Sequence, residues 1–476
     1  MKKTIGLIGC VLLALTVSAR AQDKWTIHEW GTFTSLQDES GNAIGGINTD
    51  DEPVPDFVHQ LDYLALLRTS EVPPTFFKGA PSCHPDVTMR LETPVIYFHA
   101  PKSEILQTAD VSVKFHGGLL TEFYPDAMAT APGLDTNGWF RFGPIHSDTD
   151  SKLEWSGLNI GHGSPKRETS AHVWTSPRAV RASTVQATNG ESEKFLFYRG
   201  IGHIDAPLKV SREDGRFVFR SQLENVPVDR PLTIQSVWLV DIRRDGTIAF
   251  RPLPPLEINP DPTKILTTTA ANFDAGDFST DNLEKLMSSL KASLMAEGLF
   301  DDEAQALLNT WEVSYFKSAG LRVFFMVPRE WTDYYLPLQI SLPADITRVM
   351  VGRIELVTPE QRNILKYLEN FSAQETRQDQ GRLLTNYYAK FFPNVLSTNK
   401  PIGDMQQLNK DLAQMYSGQK RLADFISVPS TYRAYLALGR FRNALVLDEA
   451  KSRPTEGLTN FIAGYRLQGY KFADAR

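Results

Sequence analysis

Trp25-Thr26-Ile27-His28-Glu29-Trp30-Gly31-Thr32-Phe33-Thr34 is the stretch on which the reading of the fold turns. Aromatic and β-branched residues dominate it, the types that suit a pleated, half-buried surface. As a strand, its alternation puts Ile27, Glu29 and Phe33 on one face and Thr26, His28, Trp30 and Thr32 on the other. One of the two ionisable neighbours, His28 or Glu29, must then enter apolar surroundings. A buried carboxylate has to be paired or take a raised pKa, and perturbed acids cluster at functional sites.

Working outward, short runs of the same character recur at Thr93–His99, Val111–Phe115, Phe195–Arg199, Arg216–Arg220 and Leu232–Ile242, separated by Gly, Pro, Asn and Asp. Regular strands without helical periods between them predict antiparallel, sandwich-like sheets. Long polar connections around residues 48–53 and 72–74 give this part extended loops. The pattern changes at Ser279. Ser279, Thr280 and Asp281 form a helix start, Leu283, Leu286, Met287, Leu290 and Leu294 an apolar stripe, and Gly298 a stop. A second helix is predicted over Asp301–Lys317, then strands over Leu321–Val327, Leu336–Ser341 and Ile346–Val357. Thr358-Pro359-Glu360 is a strong boundary: a capping threonine, a proline at the first helical position and an acid in the first turn. Only helices are expected beyond it, near 359–374, 378–391, 405–426, 431–451 and 456–467.

The predicted fold class is therefore α+β, with a β-sandwich-like N-terminal body, a helical hairpin packed on a sheet and an all-helical C-terminal unit. The corresponding segments are a signal peptide at 1–21, a β-rich body with long loops at 22–278, an α+β unit at 279–357 and helices at 358–476. Lys2 and Lys3, the apolar run Ile5–Val17 and Ala19-Arg20-Ala21 predict a leader cleaved after Ala21, and with it a periplasmic or secreted protein. Leu7-Ile8-Gly9-Cys10 also fits a lipoprotein box, but Thr4–Gly9 is too short an apolar region before that cysteine. After cleavage Cys83 is the one cysteine left, so an intramolecular disulfide is excluded, and burial is its expected state. No later segment approaches the roughly 18 apolar residues of a membrane span.

The net charge of −6 is uneven: residues 359–476 carry 17 Lys+Arg against 11 Asp+Glu. A basic C-terminal unit docking on an acidic body, or meeting an anionic partner, is one implication; a solvated helical surface is the plainer one. No nucleic-acid module is recognisable, and nucleic acid is not an expected partner.

All nine histidines fall between His28 and His203. Histidine is the main neutral metal ligand and the usual acid–base group near neutrality, so any site is expected in the β-rich body. No H-E-x-x-H, H-x-H or cysteine pair fixes a ligand template, and no G-x-S-x-G, phosphate loop or dinucleotide fingerprint is present. The catalytic candidates are His28, Glu29 and Glu92, with His99, His116 and His203 as metal-ligand candidates. A metal ion is the one cofactor considered. Glu92, on the strand parity of Ile96 and Phe98, and Glu122 face the same burial problem as Glu29, with Arg90, Arg141 and Arg199 as counter-ions. Buried Arg–Glu pairs that fix strand register are the plainer explanation. Trp139, Trp155 and Arg199 are the binding candidates: Trp139, Trp155 and Trp174 could stack on sugar rings, although core tryptophans are the commoner case. Asp148, Asp150 and Glu154 offer a calcium-like spacing without the full loop pattern. Cys83-His84 could be an activated thiol only if another histidine served it.

The chain resembles a family of uncharacterised exported bacterial proteins that open with H-E-W-G-T-F-T soon after the signal peptide, here His28–Thr34. The resemblance extends to Glu92–Phe98, Gly118–Pro125, Phe197–Gly200, Ala296–Leu299 and Pro328–Asp333, spread over most of residues 28–337. It implies export and no activity, cofactor or site residue.

Two functions compete. The first is a non-enzymatic, envelope-associated protein that binds a glycan or a protein partner. The second is an extracellular, metal-assisted hydrolase using His28, Glu29, Glu92 and one or more of His99, His116 and His203. Convergence of three of these named side chains in a cleft within about 4 Å of a common point would favour the hydrolase that uses them, and their spread over different faces would remove it, because ligation and proton transfer demand that approach.

Overall fold

The computed structural model describes residues 24–49, 53–61, 76–101, 106–135, 140–161, 163–223, 226, 227, 230–371, 430–465 and 467. The leader, Trp139, His162 and the helices expected near 378–391 and 405–426 lie outside the described residues.

The opening motif is a strand, β1 (Trp25–Gln37), and it lies inside a nine-stranded sheet. The other long strands are β2 (Met89–His99), β3 (Gln107–His116), β4 (Gly118–Tyr124), β5 (Asp150–Gly161), β6 (Leu196–Gly202), β7 (Val237–Ile242), β8 (Ile248–Leu253), β9 (Gly320–Met326) and β10 (Ala344–Leu356). Across the large sheet the order is β8-β7-β9-β10-β1-β2-β6-β4, with His59–Gln60 at the edge. β3 and β5 pair in a second, six-stranded sheet.

Both faces of the large sheet are covered, which is why β1 and β2 are buried almost without alternation. Ile27, Phe33, Ile96 and Phe98 share a core with Val113, Phe115, Leu153 and Trp155 of the second sheet. Trp30, Val95 and Tyr97 share another with Trp174, Leu290 and Leu307 of the helices α1 (His172–Arg178), α2 (Asn282–Ala296) and α3 (Asp301–Thr310), and with Trp311, which caps α3. The α+β class is observed, with sheet against sheet on one face and helices on the other. Among the described residues no helix is long and apolar enough to cross a membrane.

In the body, three features depart from the sequence-based expectation. First, β9 and β10 are not a sheet of their own: they lie between β7 and β1, and β10 runs parallel to β1 in register from Trp25↔Ala344 to Gln37↔Leu356. Segment 279–357 thus completes the body's sheet, a pairing more than three hundred residues apart that local periodicity cannot reveal. Second, Glu92 does not share a face with Ile96 and Phe98. Thr93 has φ +50° and the β1–β2 register shifts there, so Glu92 turns to the helical side and meets Tyr315. Gly31 sits opposite this irregularity, where a Cβ would lie 2.9 Å from Met350 Sδ and 3.0 Å from Pro94 Cα. Third, two short helices that the strand pattern did not predict are present, α1 (His172–Arg178) and α4 (Arg329–Tyr335), the latter preceding the short strand Leu338–Ile340.

The boundary at Thr358 is built as its residues suggest. Gln361 N–H donates to Thr358 Oγ1 at 3.2 Å and Thr358 N–H to Gln361 Oε1 at 2.9 Å, opening α5 (Pro359–Glu369). The single helix expected at 431–451 is two, α6 (Ser430–Ala437) and α7 (Arg442–Ser452), broken at Gly439 with φ +89°. With α8 (Glu456–Gly464) they join the first core through Leu365, Tyr435, Leu445 and Phe461. Arg362 of α5 pairs with Glu39 of the body (2.7 and 2.8 Å) and with Glu449 of α7 (2.6 Å).

Candidate metal centre

Alternation along β1 sends His28 to the helical face beside Trp30, and the antiparallel register Thr26↔His99 and His28↔Tyr97 puts His99 of β2 diagonally across from it. The two imidazoles are 5.2 Å apart between ring centroids. Glu303, in the first turn of α3, reaches down between them. His28 Nδ1 donates to Glu303 Oε2 at 2.6 Å and His99 Nε2 donates to Oε1 at 2.9 Å. Phe300 lies over both rings at 4.5 and 4.8 Å and closes the site from above. Glu303 is 0% exposed and His28 2%, while the His99 side chain keeps 12% of its surface at the rim.

Local sequence fixes Glu303 there. Phe300 N–H donates to Glu303 Oε2 at 2.8 Å, and the positive end of α3 favours a carboxylate in its first turn. Burial pushes the Glu303 pKa up, but the hydrogen bonds from His28 and His99 and the Phe300 N–H outweigh it, and the net shift is downward. The carboxylate is therefore an anion facing two imidazoles, a donor set that zinc-class ions favour.

One donor atom from each residue lies within 4.8 Å of the others, and this is the one group of three or more metal-type donors among the described residues. A tetrahedral ion with bonds of about 2.0–2.1 Å needs donors about 3.3 Å apart. The pairs at 2.6 and 2.9 Å would open by about 0.7 and 0.4 Å, and donor atoms as far as 4.8 Å apart would close by about 1.5 Å, a rearrangement within reach of side-chain rotation. Three protein donors leave a fourth position for water or a ligand, the pattern of catalytic rather than structural zinc.

The other sequence candidates fall elsewhere. Glu29 leaves the opposite face of β1, where it ion-pairs with Arg348 and accepts from Tyr198 Oη at 2.5 Å. Glu92 pairs with Arg90 at 2.9 Å and accepts from Tyr315 Oη at 2.7 Å and Thr34 Oγ1 at 3.0 Å. Burial raises its pKa, yet Arg90, Lys78 and Arg353 prevail and bring it to about 2. Glu122 pairs with Arg199 at 3.2 Å. These are buried Arg–Glu pairs: Glu29–Arg348 and Glu122–Arg199 face each other across neighbouring strands, whereas Arg90–Glu92 lies along one strand; Arg348 and Arg353 are counter-ions that local reading missed, while Arg141 is exposed. His116 donates to Asp150 at 2.6 Å on the second sheet, and His203 Nδ1 donates to Asp86 O at 2.7 Å. Neither joins His28. Asp150 and Glu154, which pairs with Lys152 at 2.5 Å, are thereby engaged, against a calcium loop.

Trp155 is buried and donates from Nε1 to Pro125 O at 2.9 Å, so it offers no face to a sugar, and Arg199 is buried beside Glu122. Cys83 is buried, which pushes its thiol pKa up and leaves no activated nucleophile. The residue that sequence reasoning missed is Glu303. Its signal was its place four residues before Leu307, a carboxylate on the apolar stripe of α3.

No protein-family model and no curated protein sequence matches this chain. Among solved structures it is similar to the Fcho1 mu homology domain of Danio rerio with bound Eps15 peptide (8% identity, 72% of this chain, 100% of that chain, TM-score 0.27). A second similarity is to the yeast delta-COP-I mu-homology domain complexed with a Dsl1 WxWxV peptide (9% identity, 70% and 96%, TM-score 0.23). Likenesses at these TM-scores carry neither the fold nor the peptide binding to this chain.

Proposed function

We propose that this protein is an exported, metal-dependent hydrolase, with a zinc-class ion held by His28, His99 and Glu303. The observation that carries the reading is the convergence of one donor from each of three segments, at 28, 99 and 303, with no fourth among the described residues. A bound ion with an open position lowers the pKa of its water toward neutrality and polarises a carbonyl or phosphoryl oxygen. Residues His28, His99 and Glu303 would hold it, and Phe300 would shield it from bulk water. Export, expected from the leader, would place the site where extracellular zinc is accessible.

Cobalt substitution tests both halves of the reading. The visible spectrum of the Co(II) protein should be that of a four-coordinate ion, and it should change on adding acetohydroxamate, which needs the open position. A spectrum indifferent to acetohydroxamate would leave metal binding without a reactive position. That outcome would favour the alternative, a glycan- or protein-binding envelope protein without catalysis, which draws support from the uneven charge of the two regions.

A further inference from the structure

A cleft of about 820 Å³ lies where the end of β7, the start of β9, the first turn of α5 and the α6–α7 junction meet. Its charge is one-sided. Arg212, Arg243, Arg244 and Arg440 line it, against Asp241 and Glu360, in a chain whose net charge is −6. The arginines are also held in place. The Arg243 guanidinium lies 3.3 Å from the centroid of the Phe278 ring, and Arg244 Nη2 donates to Ala437 O at 2.8 Å. Arg212 lies over Phe217 at 4.7 Å, and its Nε has no hydrogen-bond partner among the described residues. Neither Arg243 nor Arg244 forms an ion pair with a carboxylate among the described residues, unlike Arg90, Arg199, Arg348 and Arg362.

The two acids offset only part of this set: four guanidinium groups line the cleft against the carboxylates of Asp241 and Glu360, the latter in the first turn of α5. The N-terminus of α5 is closed by its own capping box, so the attraction for an anion comes from the guanidinium groups. Planar guanidinium forks fixed by stacking match carboxylates in two-bond geometry. The volume is that of a small-molecule site, and Phe273, Leu321 and Ile364 give it apolar wall.

We propose that this cleft is a binding site for a small organic dicarboxylate, whose carboxylates bridge Arg243 and Arg244 on one side and Arg212 on the other. It shares no residue with the His28–His99–Glu303 centre and stands or falls separately from it. A compact inorganic anion would engage one pair of arginines and leave the apolar wall uncovered, so a dicarboxylate should bind more tightly than phosphate.

Isothermal titration of the full-length protein with glutarate, at constant ionic strength set with sodium chloride, tests the proposal. Wild type should give a saturable isotherm, R243Q and R244Q each at least tenfold weaker binding, and R216Q, an exposed arginine of the three-stranded sheet at 208–270, unchanged binding. Melting curves without ligand confirm that each variant is folded, and the two single variants keep the test decisive if one is not. Inorganic phosphate should compete at least tenfold less effectively. Absence of saturable glutarate binding by wild type, equal binding by R243Q and R244Q, or phosphate binding as tight as glutarate would each overturn it.

Discussion

His28 and Glu29 are neighbours in sequence and part company in space, and the two faces of the central sheet differ as they do. On the sheet-packed face, Glu29 is saturated: Arg348 pairs with it, Tyr198 donates to it, and Arg348 is held in turn by Asp333 at 2.8 Å. On the helical face, His28, His99 and Glu303 find mainly one another, and one rim is open. A carboxylate with its charge already matched fixes the parallel β1–β10 register. A carboxylate facing two imidazoles and no arginine or lysine is available to a cation. Burial alone, 0% exposed for both Glu29 and Glu303, does not distinguish the two roles; the partners do.

Breaking the saturated face should cost most. E29Q leaves the Arg348 charge buried without its counter-ion, and denaturant unfolding should show a loss of about 3–5 kcal/mol. The double variant E29M/R348M, which removes both charges, should recover most of that loss; a double variant as unstable as E29Q would contradict the register role.

Glu92, on the helical side but matched by Arg90, shows through its pH dependence that partners and not the face decide the role. With its folded pKa brought down to about 2 from an ordinary 4.5, Glu92 contributes stability that is complete above about pH 4.5 and is lost as pH falls toward 2. Unfolding free energy followed from pH 6 to pH 2 should therefore fall more steeply in wild type than in E92Q. Parallel curves would remove Glu92 from the account.

G31A tests the close approach that turns β1 past Pro94. A Cβ 2.9–3.0 Å from Met350 and Pro94 should cost about 1–3 kcal/mol in the same unfolding measurement. The smallest structural effect is expected at the metal centre. E303Q retains the shape and much of the hydrogen bonding, so the metal-free protein should lose only about 1–2 kcal/mol while its metal affinity drops by at least a hundredfold. A loss of stability as large as that of E29Q, with metal binding intact, would assign Glu303 to the structural face.

How much of this was legible follows the range of each interaction. Alternation along Trp25–Thr34 assigned His28 and Glu29 to opposite faces, and the Thr358-Pro359-Glu360 cap marked the helical unit, because both are decided within a few residues. The parallel pairing of β1 with β10 was not legible, since nothing near Trp25 names Ala344 as its partner. The parity of Glu92 was lost to one residue, Thr93, whose positive φ no local rule for a threonine would assign. At the candidate site, two of the three converging donors were named, but as members of a longer set that included Glu29, Glu92, His116 and His203. Glu303 escaped because its role depends on α3 lying over the crossing of β1 and β2, a contact made only in three dimensions.

The most direct test of the account is zinc titration of the metal-stripped full-length protein, followed calorimetrically for wild type, H28A and E303Q. The account predicts one tight site in wild type and none in either variant. Wild type that takes up no zinc, or variants that bind it with undiminished affinity, would contradict it.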